Sequence, residues 1–143
     1  MQKIFLTFIL LFSVQIATAD GDTEMSLPKE SYTVTGKLMN LELTDTGGTI
    51  TIAGKAGIYG RVYLTYNMKL NPNNTSQGSF TGKGFGIDGD GNRNAGVRSG
   101  VWRREGTKFT FHELDDISDG AQALCKSTLD IATEEFAMTF YLL

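Results

Sequence analysis

The chain has 143 residues, of which 41% are hydrophobic and 20% charged, with a formal net charge of −3. One cysteine and one histidine exclude an internal disulfide framework, a multi-thiolate zinc or iron–sulfur centre and a histidine-rich metal site within one chain. The length fits one domain and the mild acidity argues against a nucleic-acid partner, leaving glycine, at 17 residues, as the outlier whose positions need explaining.

Residues 1–19 read MQKIFLTFILLFSVQIATA. Lys3 precedes an apolar run, and Ala17-Thr18-Ala19 is a small-x-small site. This predicts a secretory signal peptide, hence a secreted or periplasmic protein with no membrane contact after cleavage. Residues 20–30 are polar, include Pro28 and show no periodicity, so a flexible arm is expected there. One domain is expected over 31–143.

From Tyr32 and Val34 the apolar period becomes two. Gly47-Gly48 is expected to turn a hairpin, and 49–52 alternates again. The clearest strand covers 59–69, with Val62, Leu64, Tyr66 and Met68 on one face. The stretch 71–77 (NPNNTSQ) is expected as a polar loop, and its overlapping sequons at Asn73 and Asn74 mark it as exposed. In 79–87, Phe80, Gly82, Gly84 and Gly86 share a face. A helix there would lose about 1 kcal/mol per glycine. A bent strand closely approached by a backbone or a ring explains the pattern.

A loop is expected over 88–94, then a hairpin turning at Gly106, with Phe109 and Phe111 on one face. Residues 115–120 form the next expected turn. The stretch 121–136 fits a helical stripe (Leu124, Cys125, Thr128, Leu129, Ala132, Phe136) or a strand leaving the Asp119-Gly120 turn. The strand is preferred because its neighbours are strands, and Cys125 is expected to be buried. Phe136, Met138, Phe140 and Leu142 alternate in a closing strand. About eight short-turned strands without helices predict an all-β fold, a small antiparallel eight-stranded closed barrel, with a β-sandwich as the alternative. Glycine-bearing strands favour the barrel, because closure needs bends.

The segments GKAGIYGRVYLTY, SQGSFTGKGFGIDGDG and AMTFYLL resemble the allene oxide cyclase barrel-like superfamily, which includes dirigent proteins and spiro-cyclases. The resemblance covers about half of the chain after residue 19. It implies an apolar interior pocket for a small lipophilic molecule, cofactor-free cyclase or isomerase chemistry in some members, and homo-oligomers. No catalytic residue carries over. Gly100-Val101-Trp102 matches the lipocalin Gly-x-Trp but lies too late in the chain for that family.

Asp88, Asp90, Asn92 and Asn94 are spaced as in calcium loops, yet Ser99 stands where the bidentate Glu belongs. Turn chemistry explains them better, so no metal and no cofactor are expected. Arg103 and Arg104 point opposite ways in a strand, and one of them entering the interior would hold a carboxylate or enolate of a ligand. His112 lies opposite Phe109 and Phe111 and so falls outside the barrel. Asp115, Asp116 and Asp119 read as turn carboxylates. Tyr66, Phe80, Trp102 and Arg104 are the ligand-binding candidates; no catalytic set is assignable. The leading expectation is an exported barrel binding a small apolar or amphipathic ligand. The alternatives are a cofactor-free cyclase and a structural assembly protein. Interior volume separates the first two from the third: a void of roughly 300 Å³ or more supports binding, whereas a barrel filled by Phe80, Phe109, Phe111 and Phe136 leaves no room for a ligand.

Overall fold

The computed structural model describes residues 26–143. The predicted signal peptide, and the part of the arm up to residue 25, lie outside them. Residues 26–31 carry no strand. Eight strands follow: β1 Tyr32–Thr44, β2 Gly47–Lys55, β3 Arg61–Asn71, β4 Asn74–Ile87, β5 Arg93–Glu105, β6 Lys108–Ile117, β7 Gln122–Asp130 and β8 Glu135–Leu142. Each pairs antiparallel with the next, and β8 returns to β1, giving a closed barrel. Among the described residues no α-helix occurs; one 3-10 turn spans Gly57–Tyr59.

The alternation behaves as a half-buried wall requires. Val62, Leu64, Tyr66 and Met68 are buried, as are Phe109 and Phe111, and Phe136, Met138 and Phe140. The ambiguous stretch is a strand, β7, followed by a turn over 131–134, and Cys125 is buried and unpaired.

Several boundaries differ from expectation. The expected 115–120 turn begins only after Ile117, so Asp115 and Asp116 are strand residues paired with β5 rather than turn carboxylates, and β5 begins at Arg93, inside the expected 88–94 loop. The first hairpin turns at Asp45-Thr46, with Gly47 and Gly48 already paired in β2. A Cβ at Gly47 would fall on the Met68 carbonyl oxygen, so this glycine answers a close approach. The polar loop contracts to Pro72-Asn73, because the Asn71 and Asn74 side chains accept from the Asn73 and Ser76 amides (both 2.9 Å) and the strands continue around them.

The barrel has two unlike ends. One is closed by the turns at 45–46, 72–73, 106–107 and 131–134. There Tyr66 meets Phe80 and Phe111 at ring distances of 5.0 and 4.6 Å, and Trp102 meets Phe109 at 5.8 Å. The other end, the mouth, carries the 3-10 turn and the 88–92 and 118–121 loops. Tyr59 folds over this mouth and donates to Asp119 (3.1 Å). Burial and that bond push the Tyr59 hydroxyl up to about 12.

Glycines on β4 and β5 make the aromatic packing fit. A Cβ at Gly82 would fall on the Thr65 carbonyl oxygen. Gly82→Ala is therefore expected to cost about 1–3 kcal/mol, the range for overpacking, with a matching fall in melting temperature. Gly89→Ala, with open space around it, is expected to change stability by less than about 0.5 kcal/mol. Equal effects of the two would contradict the close-approach account.

Candidate functional site

The interior is polar at one place. Arg98 on β5 lies four residues before Trp102, on the same inward face, and is 3% exposed. Glu113 on β6 lies two residues after Phe111 and is 2% exposed. The β5–β6 register sets Arg98 beside Asp115, and Glu113 follows one inward position along. Arg98 Nη2 donates to Glu113 Oε2 (2.7 Å) and Arg98 Nε to both oxygens of Asp115 (3.0 and 3.1 Å). Ser127 on β7 donates to Glu113 Oε1. The Tyr66 hydroxyl donates weakly to Ser127 (3.5 Å), and the guanidinium carbon lies 4.9 Å from the Tyr66 ring centroid. Arg98 Nη2 also approaches the Met138 sulfur (3.3 Å), whereas Nη1 has no hydrogen-bond partner among the described residues.

The electrostatics follow from burial. Arg98 stays charged, because two carboxylates and the Tyr66 oxygen outweigh its desolvation. Burial pushes the Glu113 carboxyl above the ordinary range against the opposing pull of Arg98. Burial likewise raises Tyr66 and Cys125. With Glu113 protonated the Arg98–Asp115–Glu113 cluster is neutral; with both acids ionised it carries one negative charge.

Above the cluster, at the mouth, lies an apolar cavity of about 60 Å³. Val34, Val62, Leu64, Met138 and Phe140 line it, and Arg98 and Asp115 form its polar floor. Glu113, Ser127 and Tyr66 sit behind Arg98, away from it.

The sequence candidates divide accordingly. Tyr66, Phe80 and Trp102 are buried in the closed half, and Trp102 Nε1 donates to the Ser79 carbonyl (3.1 Å). Tyr66 alone touches the polar cluster. Arg103 and Arg104 are both exposed; Arg104 shares the inward parity of Trp102 but lies past the rim and donates to the Gly106 carbonyl (3.1 Å). The inward arginine is Arg98. Parity with Trp102 was the signal that could have found it, and parity with Phe109 and Phe111 the signal for Glu113. His112 is exposed. Asp88 accepts from the amides of Asp90 and Asn92 and from the Asn92 side chain, which holds its carboxyl below the usual range. Among the described residues no three potential metal ligands converge.

Compared with protein-family models, with curated proteins and with solved structures, the chain matches none.

Two substitutions test the cluster. Arg98→Met leaves two acids without their cation and is expected to cost about 3–5 kcal/mol. Adding Glu113→Leu should recover part of that loss, since an apolar pair removes the orphaned carboxyl. The second test is pH. Folded Glu113 keeps its proton where the unfolded chain has lost it. Its contribution is full below about pH 4.3, the ordinary glutamate value, and is lost as pH rises through the raised value. The melting temperature of wild type relative to Glu113→Gln should therefore fall as pH rises above that point. A difference that stays flat from acid to alkaline pH would refute the raised Glu113.

Proposed function

We propose that the protein is an exported barrel that binds, through its mouth, the polar end of a small neutral amphipathic molecule. One observation carries the reading: an apolar cavity is lined by the buried Arg98, whose Nη1, with two N–H groups, has no hydrogen-bond partner among the described residues. The size of the cavity limits what enters. About 60 Å³ is far below the 300 Å³ or so of a pocket that encloses a drug-sized ligand, so only a very small molecule or the tip of a longer one fits. The other half is occupied by the buried rings of Tyr66, Phe80, Phe109 and Phe111. Charge limits the chemistry. Arg98 already holds two carboxyl groups, so a third anion would meet a neutral or negative floor. A carbonyl or hydroxyl oxygen, accepting from Nη1, meets no such repulsion.

The resemblance to allene oxide cyclase-like barrels supports a second reading, a cofactor-free isomerase or cyclase. Among the lining residues Arg98 would polarise a carbonyl and Asp115 would take a proton, with Tyr59 and Asn94 as further polar side chains at the cavity.

Thermal melting with millimolar 2-hexanone, 1-hexanol and hexanoate tests the binding reading. The ketone and the alcohol should raise the melting temperature, and hexanoate should not. Gly84→Leu should abolish the rise, because a side chain there grows toward Leu64 and Arg98 at the cavity wall. No shift with any of the three, or an undiminished shift in Gly84→Leu, would overturn it. Native mass spectrometry of protein from its own host then names the molecule, and its recovery in altered form after incubation would favour the isomerase.

A further inference from the structure

The outer wall formed by β2–β5 carries charge that the net value of −3 conceals. Residues 47–87 contain no aspartate or glutamate. Lys55, Arg61, Lys69, Lys83 and Arg93 all project outward and are exposed. None of these five forms an ion pair among the described residues, whereas Lys37 and Arg103 are neutralised by Glu135 and Glu105. Acids flank the wall without pairing to it: Glu42 on β1, Asp116 on β6, and Asp88 and Asp90 in the 88–92 loop, where the Asp88 oxygens are engaged within the loop itself.

Cross-strand register orders this wall. Lys55, Arg61, Ile87 and Arg93 form the row at the mouth, and Ala53, Tyr63, Phe85 and Ala95 the row beneath it. Tyr63 and Phe85 stack at 5.1 Å, Arg61 lies 5.7 Å from the Tyr63 ring and Arg93 5.2 Å from the Phe85 ring. The result is an outward cluster in which the stacked Tyr63 and Phe85 rings each have a guanidinium over them. Further rows present Thr51, Thr65 and Lys83, then Asn67, Thr81 and Ser99. Arginines ordered this way lose little entropy on binding and match carboxylates two donors at a time.

We propose that this wall docks an acidic polysaccharide, its carboxylates held by Arg61, Arg93 and the neighbouring lysines and its hydroxyls by the threonine-rich rows. The stack itself favours this partner. Single-stranded nucleic acid binds by laying bases on open ring faces, and here each ring stacks on its partner ring and has a guanidinium over it. A membrane surface recruits protruding aromatic side chains, and Tyr63 and Phe85 are half-buried between small Ala53 and Ala95. The surface lies outside the barrel and does not depend on the mouth reading.

Titration with polygalacturonate, against neutral dextran, in low salt tests the proposal. Binding to the first and not the second is expected, weakening as salt rises. Arg61→Ser/Arg93→Ser should weaken it by about tenfold or more, equivalent to about 1.4 kcal/mol. Tyr63→Leu/Phe85→Leu should weaken it with every charge retained, and Lys126→Ser on β7 should leave it unchanged. Should the arginine variant lose its fold by circular dichroism, Lys55→Ser/Lys83→Ser reads the same wall without touching a ring. The proposal fails if polygalacturonate does not bind or if the wall variants bind as wild type does. It also fails if single-stranded DNA or phosphatidylglycerol vesicles bind more tightly than the polyuronate.

Discussion

Closure of β1 onto β8 is the constraint on which the rest depends. It removes the unpaired edges that would otherwise template aggregation. It also gives every strand one inward face, so that every second residue competes for a single interior. Eight strands leave an interior just wide enough for side chains to fill. Phe80, Phe111, Phe136, Tyr66, Trp102 and Phe109 all enter it from one end. They fit because β4 and β5 supply glycine where other strands supply bulk. Gly82 and Gly100 each lie where a Cβ would strike a neighbouring carbonyl. The glycine excess and the aromatic core are thus two halves of one packing solution.

The parts of this arrangement that are local were legible in the sequence. Val62, Leu64, Tyr66 and Met68 alternate because one side of their strand is buried, and that pattern needs no partner to be seen. Gly47-Gly48 misled because glycine serves turns and close approaches alike, and only the register to Met68 tells which. The Asn-rich stretch after β3 misled for a related reason. Asn71 and Asn74 close a tight turn with their own side chains, so a sequence that looks like loop stays paired. Arg98 and Glu113 were hidden by their charge. Parity sets both inside, but a buried ion reads as implausible until its counter-ion is known. That counter-ion comes from another strand through a register that the sequence does not display. Arg104 shows the limit of parity itself, because the barrel ends before the alternation does.

The two faces of the same strands carry different chemistry. On β4, Gly82, Gly84 and Gly86 face inward, while Lys83 and Phe85 face out. On β5, Arg98 and Trp102 are buried, while Arg93 caps the outer aromatic stack. A period of two lets one stretch of chain build a packed interior and a charged exterior without compromise. It also separates the cations by environment. Arg98 is neutralised by acids that β6 delivers to the interior. The outward cations of β2, β3 and β4 have no acid on their own strands, so their field stays open to solvent.

The buried cluster is not explained by stability. Replacing a buried ion pair by well-packed apolar residues is often neutral or stabilising, and this interior already packs aromatic rings well. Arg98 instead sits at the boundary between the filled half and the cavity. Two of its nitrogens are consumed by Glu113 and Asp115, and the ring of Tyr66 supports its face. That leaves Nη1 as the one strong donor without an acceptor. Because burial pushes the Glu113 carboxyl up, the cluster is drawn toward neutrality rather than toward surplus negative charge. A neutral oxygen then gains a charge-assisted hydrogen bond, while an anion gains little net attraction. On the proposed reading, the Arg98 side chain selects for polarity without charge, and the apolar walls above it select for what that polar group is attached to.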